Sequence, residues 1–556
     1  MKIITHALLN KETIFFRIAG ILCIFFQITG YLLATYNHIT WSIPNILLIL
    51  FTSTVLGQLL GILIHWITSH ITNRLSSKFS VYNSQELSLR TIFLLWLIII
   101  LCWLPGFLAY FPGVCSYDFS IQMGQAESGV FSDHHPFMHT LTIQFFWNLG
   151  RSIFSSGTIG IAMYTFFQML ILSGAFAYSL YILNKCRTHK WLLYGLTAFY
   201  GLLPVNFFMS ISATKDTFFA AFVLVMTASL LYILRSVQTK DKCKGELAVF
   251  FMGTIGVIFF RNNGRYAVLA MMALILLLLI FDRKYLRQYL KIFVLTTTAL
   301  LTAIMLLNTT QNAIHCTQGD RREMLSIPIQ QWARIINKYE TELNPETVTF
   351  IKQCIGEKGL YEYDPYISDP VKRHTNTKAI LQNAGTFIRT YIQLFLEYPD
   401  EYINAILVQN SGFIYIFDTS HAWINYNPDI AGYGYIQTHE LTDELAGRDI
   451  YKTSLIPKLY ESLEDWTNNN TYLKLPVLNL LMAPGIWLSI LLFVLATIFA
   501  RKNYALLVPI GFILGYYLTL FLGPTVQLRY IYPVMLFLAF YLVWMMTNNF
   551  KRSTSI

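Results

Sequence analysis

Charge is what this 556-residue chain has least of. Asp, Glu, Lys and Arg make up 13% of it, where a soluble domain carries about a quarter. Hydrophobic residues make up 55%, and the mean hydropathy is +0.49. That balance excludes a soluble enzyme. Cysteine is sparse too: Cys23, Cys102, Cys115, Cys186, Cys243, Cys316 and Cys354 are scattered, with no Cys-x-x-Cys pair. A zinc ribbon and a thioredoxin-like site are thereby excluded. Cys316 and Cys354 can pair on an oxidising face, although nothing in the sequence requires it. There is no His-Glu-x-x-His, no internal repeat and no low-complexity run. The N-terminus, MKIITHALLNKETIFFR, lacks the small-residue cleavage site of a signal peptide. The apolar run over residues 14–36 is also too long for one, so it is read as the first spanning helix.

What is there is a succession of long apolar runs. About twelve spans are expected, at residues 14–36, 45–67, 91–110, 157–183, 191–206, 216–235, 247–260, 266–281, 292–307, 477–500, 504–522 and 530–547. The fold class is an α-helical polytopic membrane protein. Residues 1–307 form an N-terminal transmembrane module with a first outer loop at 111–156. Residues 308–476 form a mostly helical extracytoplasmic domain inserted before the last three spans, and 477–556 carry the C-terminal helices. Turn signals such as LNPETV and EYDPYISDP punctuate the inserted domain. In NPETVTFIKQCIG, Asn344 is a cap, Pro345 a first helical residue and Gly356 a terminator.

The net charge of +10 reads as membrane topology, not nucleic-acid binding. One set of loops and both tails hold about twenty Lys and Arg, including Arg74, Lys78, Lys185, Arg187, Lys240, Arg283 and Arg501. The alternate short loops hold about five: Arg151, Lys215, Arg261, Arg265 and Arg529. The excess places both termini in the cytoplasm, in the cytoplasmic membrane. That parity requires FMHTLTIQFFWNLGRSIF, residues 137–154, to be an interfacial or re-entrant helix on the outer face.

The outer segments nevertheless hold the unusual polar clusters. Asp118 lies in FPGVCSYDFSIQ, just after the third span. Asp133, His134, His135 and His139 lie in VFSDHHPFMHT. Lys215 and Asp216 stand at the mouth of a span in SATKDTFF. Arg261, Asn262, Asn263 and Arg265 fill RNNGRY, and Arg529 and Tyr530 open the last span in GPTVQLRYIYP. Polar groups at such depth are costly and tend to be functional. Taken singly, each has an ordinary role: Lys215 and Arg529 as snorkelling residues, Arg261 and Arg265 as lipid-headgroup contacts, Asp118 as a helix cap. Their joint presence on one face suits an anionic, membrane-anchored substrate. His135 and His139 share a helix face and, with Asp133, offer ligands for a divalent cation such as Mg or Mn, as does Asp118. His135 precedes Pro136, which places it at a helix N-cap. Hydrogen bonding of His134 and His135 to a phosphate or a sugar is the alternative, and His139 reads as an ordinary helix residue.

The order of these motifs resembles the GT-C superfamily of polytopic glycosyltransferases, near the protein-mannosyltransferase and aminoarabinose-transferase type and closest to an uncharacterised bacterial branch. The resemblance covers most of the spanning region and does not extend to 308–476. It implies that Asp118 is the general base or a metal contact, with Phe119 where a second acid often stands. It matches Asp216 to a second acidic position, HHPF to the family's Pro-containing motif, and Arg529, Tyr530 and Pro533 to its late Arg-Tyr motif. The donors it implies are sugars on polyprenyl phosphate or diphosphate.

The residues suit that chemistry on their own terms. A carboxylate such as Asp118 can take the proton of an acceptor hydroxyl as it attacks, with Asp133 as the alternate base. Lys215, Arg261, Arg265 and Arg529 can stabilise the lipid phosphate that leaves. A single displacement inverts the anomeric centre. The segment AWINYNPDIAGYGY has the aromatic and amide character of a carbohydrate surface. The expected partners are the lipid-linked donor, membrane lipids and an extracytoplasmic acceptor, without nucleic acid. Three rivals stand beside this reading: a transporter or flippase for a lipid-linked saccharide, a lipid phosphatase or phosphotransferase using His134 or His135, and a polymer ligase or acyltransferase.

Overall fold

The computed structural model describes residues 12–78, 86–115, 117–281, 283–417, 445–469 and 471–547. The first two helices, α1 (Thr13–Tyr36) and α2 (Ile43–Lys78), form a hairpin. Their backbones touch at Gly20, Gly57 and Gly61, where any β-carbon would collide with the facing main chain. Small residues that let backbones approach are how apolar helices associate where burial from water supplies no drive. The third helix, α3 (Leu89–Ala109), is capped by the Ser88 side chain.

The chain then enters the segment expected as the first outer loop. A two-residue strand, β1 (Val114–Cys115), leads into α4 (Tyr117–Ser128) and then α5 (Phe137–Phe154). Next come α6 (Gly157–Lys185), and a pair bent by 54° at Leu203, α7 (Lys190–Leu202) and α8 (Pro204–Ile211). Pro204 causes the break, because a helix cannot carry a proline past its first turn without losing a bond to the preceding turn. The run expected as one straight span over 191–206 is therefore two half-helices. The second ends in β2 (Ser212–Ala213), which pairs in parallel with β1.

Next come α9 (Lys215–Thr239), α10 (Lys244–Phe260), α11 (Gly264–Phe281) and α12 (Leu286–Ala313). After the inserted segment come α17 (Pro484–Arg501), α18 (Leu507–Leu520) and α19 (Leu528–Thr547). Among the described residues nine helices are long and apolar enough to cross a membrane, or ten with the bent pair as one span. The chain is thus a helical, multi-pass membrane protein. α5 is not among the nine. The candidate span Lys215–Ser236 is 89% buried against 22% for Ile43–Ile71. α9 is therefore the axis of the bundle, packed by α6, α10 and α19, and the α1–α2 hairpin is its lipid-facing flank.

The segment expected as the outer domain has its own apolar core, built by α13 (Ser326–Tyr339), α14 (Pro345–Ile355), α15 (Ala384–Glu397) and α16 (Pro399–Gln409). Ile329, Trp332, Ile336, Ile351, Cys354, Leu394 and Tyr402 fill it. As the turn signals predict, Asn344 caps α14 by accepting from Glu346 N–H, and Gly356 closes it at a φ of 82°. Cys316 and Cys354 are both free. The inserted segment is not one unit, however. α12 runs six residues past the expected boundary at 307, to Ala313. Residues 445–468 leave the outer core and pack on the spanning bundle. There Thr453 N–H donates to Phe111 O, Leu455 N–H to Leu108 O, and Tyr110 OH to Glu464. The apolar face of Pro457–Asn468, with Leu459, Tyr460, Leu463 and Trp466, draws it there. The segment 422–435, read as a carbohydrate surface, lies outside the described residues.

Candidate functional site

The β1–β2 pairing sets the site. Cys115 is opposite Ala213, so Asp118 and Asp216 each follow a paired residue by the same three positions. Each sits in the first turn of its helix, α4 and α9. α11 begins just after Arg261, and α19 begins at Leu528, next to Arg529. The contacts between these side chains bring four helix N-termini to one place. Each contributes a partial positive charge.

Five ionic side chains interlock there. Lys215 Nζ donates to Asp118 Oδ2 at 2.7 Å, and Arg529 Nη1 donates to the same oxygen at 3.0 Å. Arg529 Nη1 also lies 3.5 Å from Asp216 Oδ2, and Arg261 Nη1 pairs with Asp216 Oδ1. Asp216 is fully enclosed, whereas the Asp118 side chain remains 15% exposed. Gln527 and Asn263 orient the two guanidinium groups by accepting from Arg529 Nε and Arg261 Nε at 2.6 and 2.9 Å. Tyr530 lies beneath both, 4.7 Å from Arg261 and 5.0 Å from Arg529. Tyr516 adds a second face to Arg261 at 5.6 Å.

Three cations thus face two carboxylates. Burial alone would raise the Asp118 carboxyl, but Lys215 and Arg529 hold it well below the usual carboxylate range. His135 completes the cluster: its Nδ1 is 3.1 Å from Lys215 Nζ and its Nε2 is 4.0 Å from Asp118 Oδ1. Burial and the Lys215 charge keep this imidazole neutral against the opposing pull of Asp118. The net charge of the group is one positive unit, a field that attracts an anion beside a carboxylate.

Of the residues singled out from the sequence, Asp118, His135, Lys215, Asp216, Arg261, Asn263, Arg529 and Tyr530 meet here. Asp133 does not. Its Oδ1 accepts from Gly319 N–H, and its own N–H donates to Thr317 O, so it ties the first outer loop to the strap leading into the outer domain. Asn262 donates to Asp133 O at 3.3 Å. His134 stacks edge-on to His135 and points to Glu323, 4.0 Å away. Arg265 is exposed and lies over Tyr266, away from the cluster. The N-cap of α5 is Pro136, not His135, since the first bond of that helix runs to Pro136 O. His139 is wholly buried between Gln122 and Tyr164, at 2.9 and 2.6 Å. Gln527, Tyr516 and Thr519, which receives an Asn263 hydrogen bond, were not singled out. Gln527 stands two residues from Arg529 in sequence, but Tyr516 and Thr519 lie in an apolar run with no signal to mark them.

Two cations meet Asp118 at Oδ2, which leaves Oδ1 as the oxygen of that carboxylate for a divalent cation, and Asp133 is turned elsewhere. Among the described residues His38, Asp400 and Glu401 place ligand atoms within 4.8 Å of one another. They lie at the outer domain, and Arg334 and Lys338 already take both Glu401 oxygens at 2.7 Å.

Residues 124–555 match a family described as a family of unknown function (DUF6020). The match begins just beyond Asp118 and takes in every other member of the cluster. No curated protein and no solved structure matches the chain.

Proposed function

The chain belongs to the DUF6020 family, and from that starting point we propose that it is a membrane glycosyltransferase. In this reading it moves a sugar from a polyprenyl-phosphate-linked donor to an extracytoplasmic acceptor: an envelope glycan, a lipid or a protein. The observation that carries this is the three-cation, two-carboxylate cluster at four helix N-termini, with one acid still partly exposed. Cations and helix N-termini together receive a phosphate, and the exposed acid stands ready for a proton. The bent pair α7–α8 and the shorter apolar helices α10 and α18, added to the nine long ones, support about twelve crossings. With both termini cytoplasmic, that arrangement is GT-C-like.

The chemistry follows from the pairing. Before donor binds, Lys215 and Arg529 make Asp118 a weak base. A donor phosphate draws both cations to itself and returns basicity to the carboxylate. Asp118 then accepts the proton of the acceptor hydroxyl as its oxygen bonds to the anomeric carbon. The bond from that carbon to the phosphate oxygen breaks with inversion. The lipid phosphate departs carrying the electron pair, and Lys215, Arg261 and Arg529 stabilise its added charge. Asp216 organises the two arginines and does not touch substrate.

Asp118→Asn tests the reading, with the protein in nanodiscs and a panel of polyprenyl-phosphate sugars as donors. Loss of a general base lowers transfer by about 100-fold to 10,000-fold. Unchanged transfer removes Asp118 as the base. No transfer from any such donor by the wild-type protein defeats the enzyme class.

A further inference from the structure

The contact between Lys215 and His135 locates a proton. An ammonium has donors and no lone pair, so across the 3.1 Å between Nζ and Nδ1 the lysine donates and the ring accepts. A neutral imidazole that accepts at Nδ1 carries its hydrogen on Nε2. That Nε2–H is buried in a residue 7% exposed and has no hydrogen-bond partner. The Asp118 oxygen at 4.0 Å is beyond hydrogen-bond reach. Buried donors are seldom left unpaired, and those that are mark a missing acceptor. The groups around the ring are Asp118 of α4, Lys215 of α9, Arg529 of α19 and the neighbouring His134. The missing acceptor thus lies in the field of the cationic cluster, which selects a phosphate oxygen over a neutral hydroxyl.

We propose that His135, held by Lys215 as the Nε2–H tautomer, donates a neutral hydrogen bond to a non-bridging oxygen of the bound phosphate. Lys215 is then a positioning residue for His135 as well as the partner of Asp118. This rests on the cluster being the phosphate site of the reaction proposed above. A neutral donor suits the place, because the cluster already carries a positive charge and a protonated ring would add a second. With its hydrogen on Nε2, the ring presents no lone pair to phosphorus. His135 is thereby set apart from the nucleophile that a phosphatase or phosphotransferase needs.

Two measurements on the full chain in nanodiscs test this, with farnesyl phosphate as the binding probe. Nitrogen-15 histidine spectra, assigned by the signal lost in His135→Gln, show a protonated Nε2 and an unprotonated Nδ1 in the wild-type protein. Lys215→Met shifts that ring toward a mixture of tautomers. His135→Ala binds farnesyl phosphate about tenfold more weakly. His135→Gln, whose amide N–H stands near the place of Nε2, stays within about threefold of wild type. His135→Asn, whose amide mimics Nδ1, behaves like the alanine variant. A wild-type ring protonated on Nδ1 overturns the proposal without any variant. So does a set of folded variants that all bind farnesyl phosphate equally. If binding follows the expected pattern but no donor gives sugar transfer, the glycosyltransferase reading falls and the His135 contact stands. If transfer occurs and the variants bind like wild type, only the His135 contact falls.

Discussion

Asp118 and Glu401 are both acids held between two cations, and they are built for different ends. Glu401 Oε2 accepts from Arg334, and its Oε1 accepts from Lys338 and Tyr339. Arg334 directs another N–H to Asn37 O at 2.8 Å. This acid is 2% exposed at its side chain, and it fastens α13 and α16 of the outer domain to the turn after α1. Around Asp118 the count comes out uneven. Three cations share two acids, one acid is partly open, and a buried ring N–H has no acceptor. Glu401 has donors on both oxygens and is closed off, whereas Asp118 keeps one oxygen without a hydrogen bond among the described residues and an open edge.

The largest effects separate the two clusters by what is lost. Glu401→Gln leaves Arg334 and Lys338 without their counter-ion and costs about 3–5 kcal/mol of stability. Denaturant titration of the purified protein reads it, and the fraction that stays folded binds farnesyl phosphate as before. Asp118→Asn has the opposite profile, with transfer lost by at least about 100-fold and a smaller loss of stability. The contrast breaks if Glu401→Gln abolishes phosphate binding in a stable protein, or if Asp118→Asn only destabilises.

That contrast was not readable before folding. Among the described residues nine of the twelve apolar runs are helices long and apolar enough to cross a membrane, because a stretch of about twenty apolar residues has few other uses. Of the other three, 247–260 and 504–522 fold as shorter helices, and 191–206 is broken by a proline although the run around it stays apolar. The convergence of Lys215, Asp216, Arg261 and Arg529 was legible because the loops that carry them are short, and Asp118 joins them through the β1–β2 pairing. Asp133 stands apart from the cluster because its partner, Gly319, lies in a strap far along the chain. Nothing near SDHH indicates that the aspartate is taken. Glu401 and Arg334 lie 67 residues apart, and at that separation sequence pattern does not report pairing.

A second contrast lies within one short stretch, between His135 and His139. His139 has partners on both ring nitrogens and is held down to about 3 by burial and, less, by the Lys215 charge. Its unfolded value is near 6.5, so below that pH the unfolded chain takes a proton that the folded chain refuses. The stability His139 contributes is therefore whole above about pH 6.5 and is lost progressively as pH falls toward 3, by a few kcal/mol in all. Melting temperatures between pH 7 and pH 4 follow that slope, and His139→Gln flattens it. An unchanged slope in that variant places the acid sensitivity elsewhere.

Arg529 and Arg261 differ from Lys215 in having forks rather than points of charge. Arg529→Lys keeps the charge but cannot reach Asp118 and Gln527 together as Arg529 now does. About a tenfold loss of farnesyl phosphate affinity is expected, close to one charge-assisted hydrogen bond. Full affinity in the lysine variant means that only the charge matters there, and the receptor is less shaped than its geometry implies.

The smallest effect is the sharpest control. Arg265 belongs to the same short loop as Arg261, and by sequence the two are equivalent. In the fold Arg261 is buried against Asp216, and Arg265 is exposed over Tyr266. A cation on the surface is screened by water and salt within about 8 Å at physiological ionic strength. Arg265→Gln is therefore expected to change farnesyl phosphate affinity by less than about twofold, whereas Arg261→Gln strips a buried acid of one of its two arginines. An equal loss in both variants means that the loop attracts phosphate through its overall charge. The cluster around Asp118 would then be a second joint like that of Glu401, not a receptor.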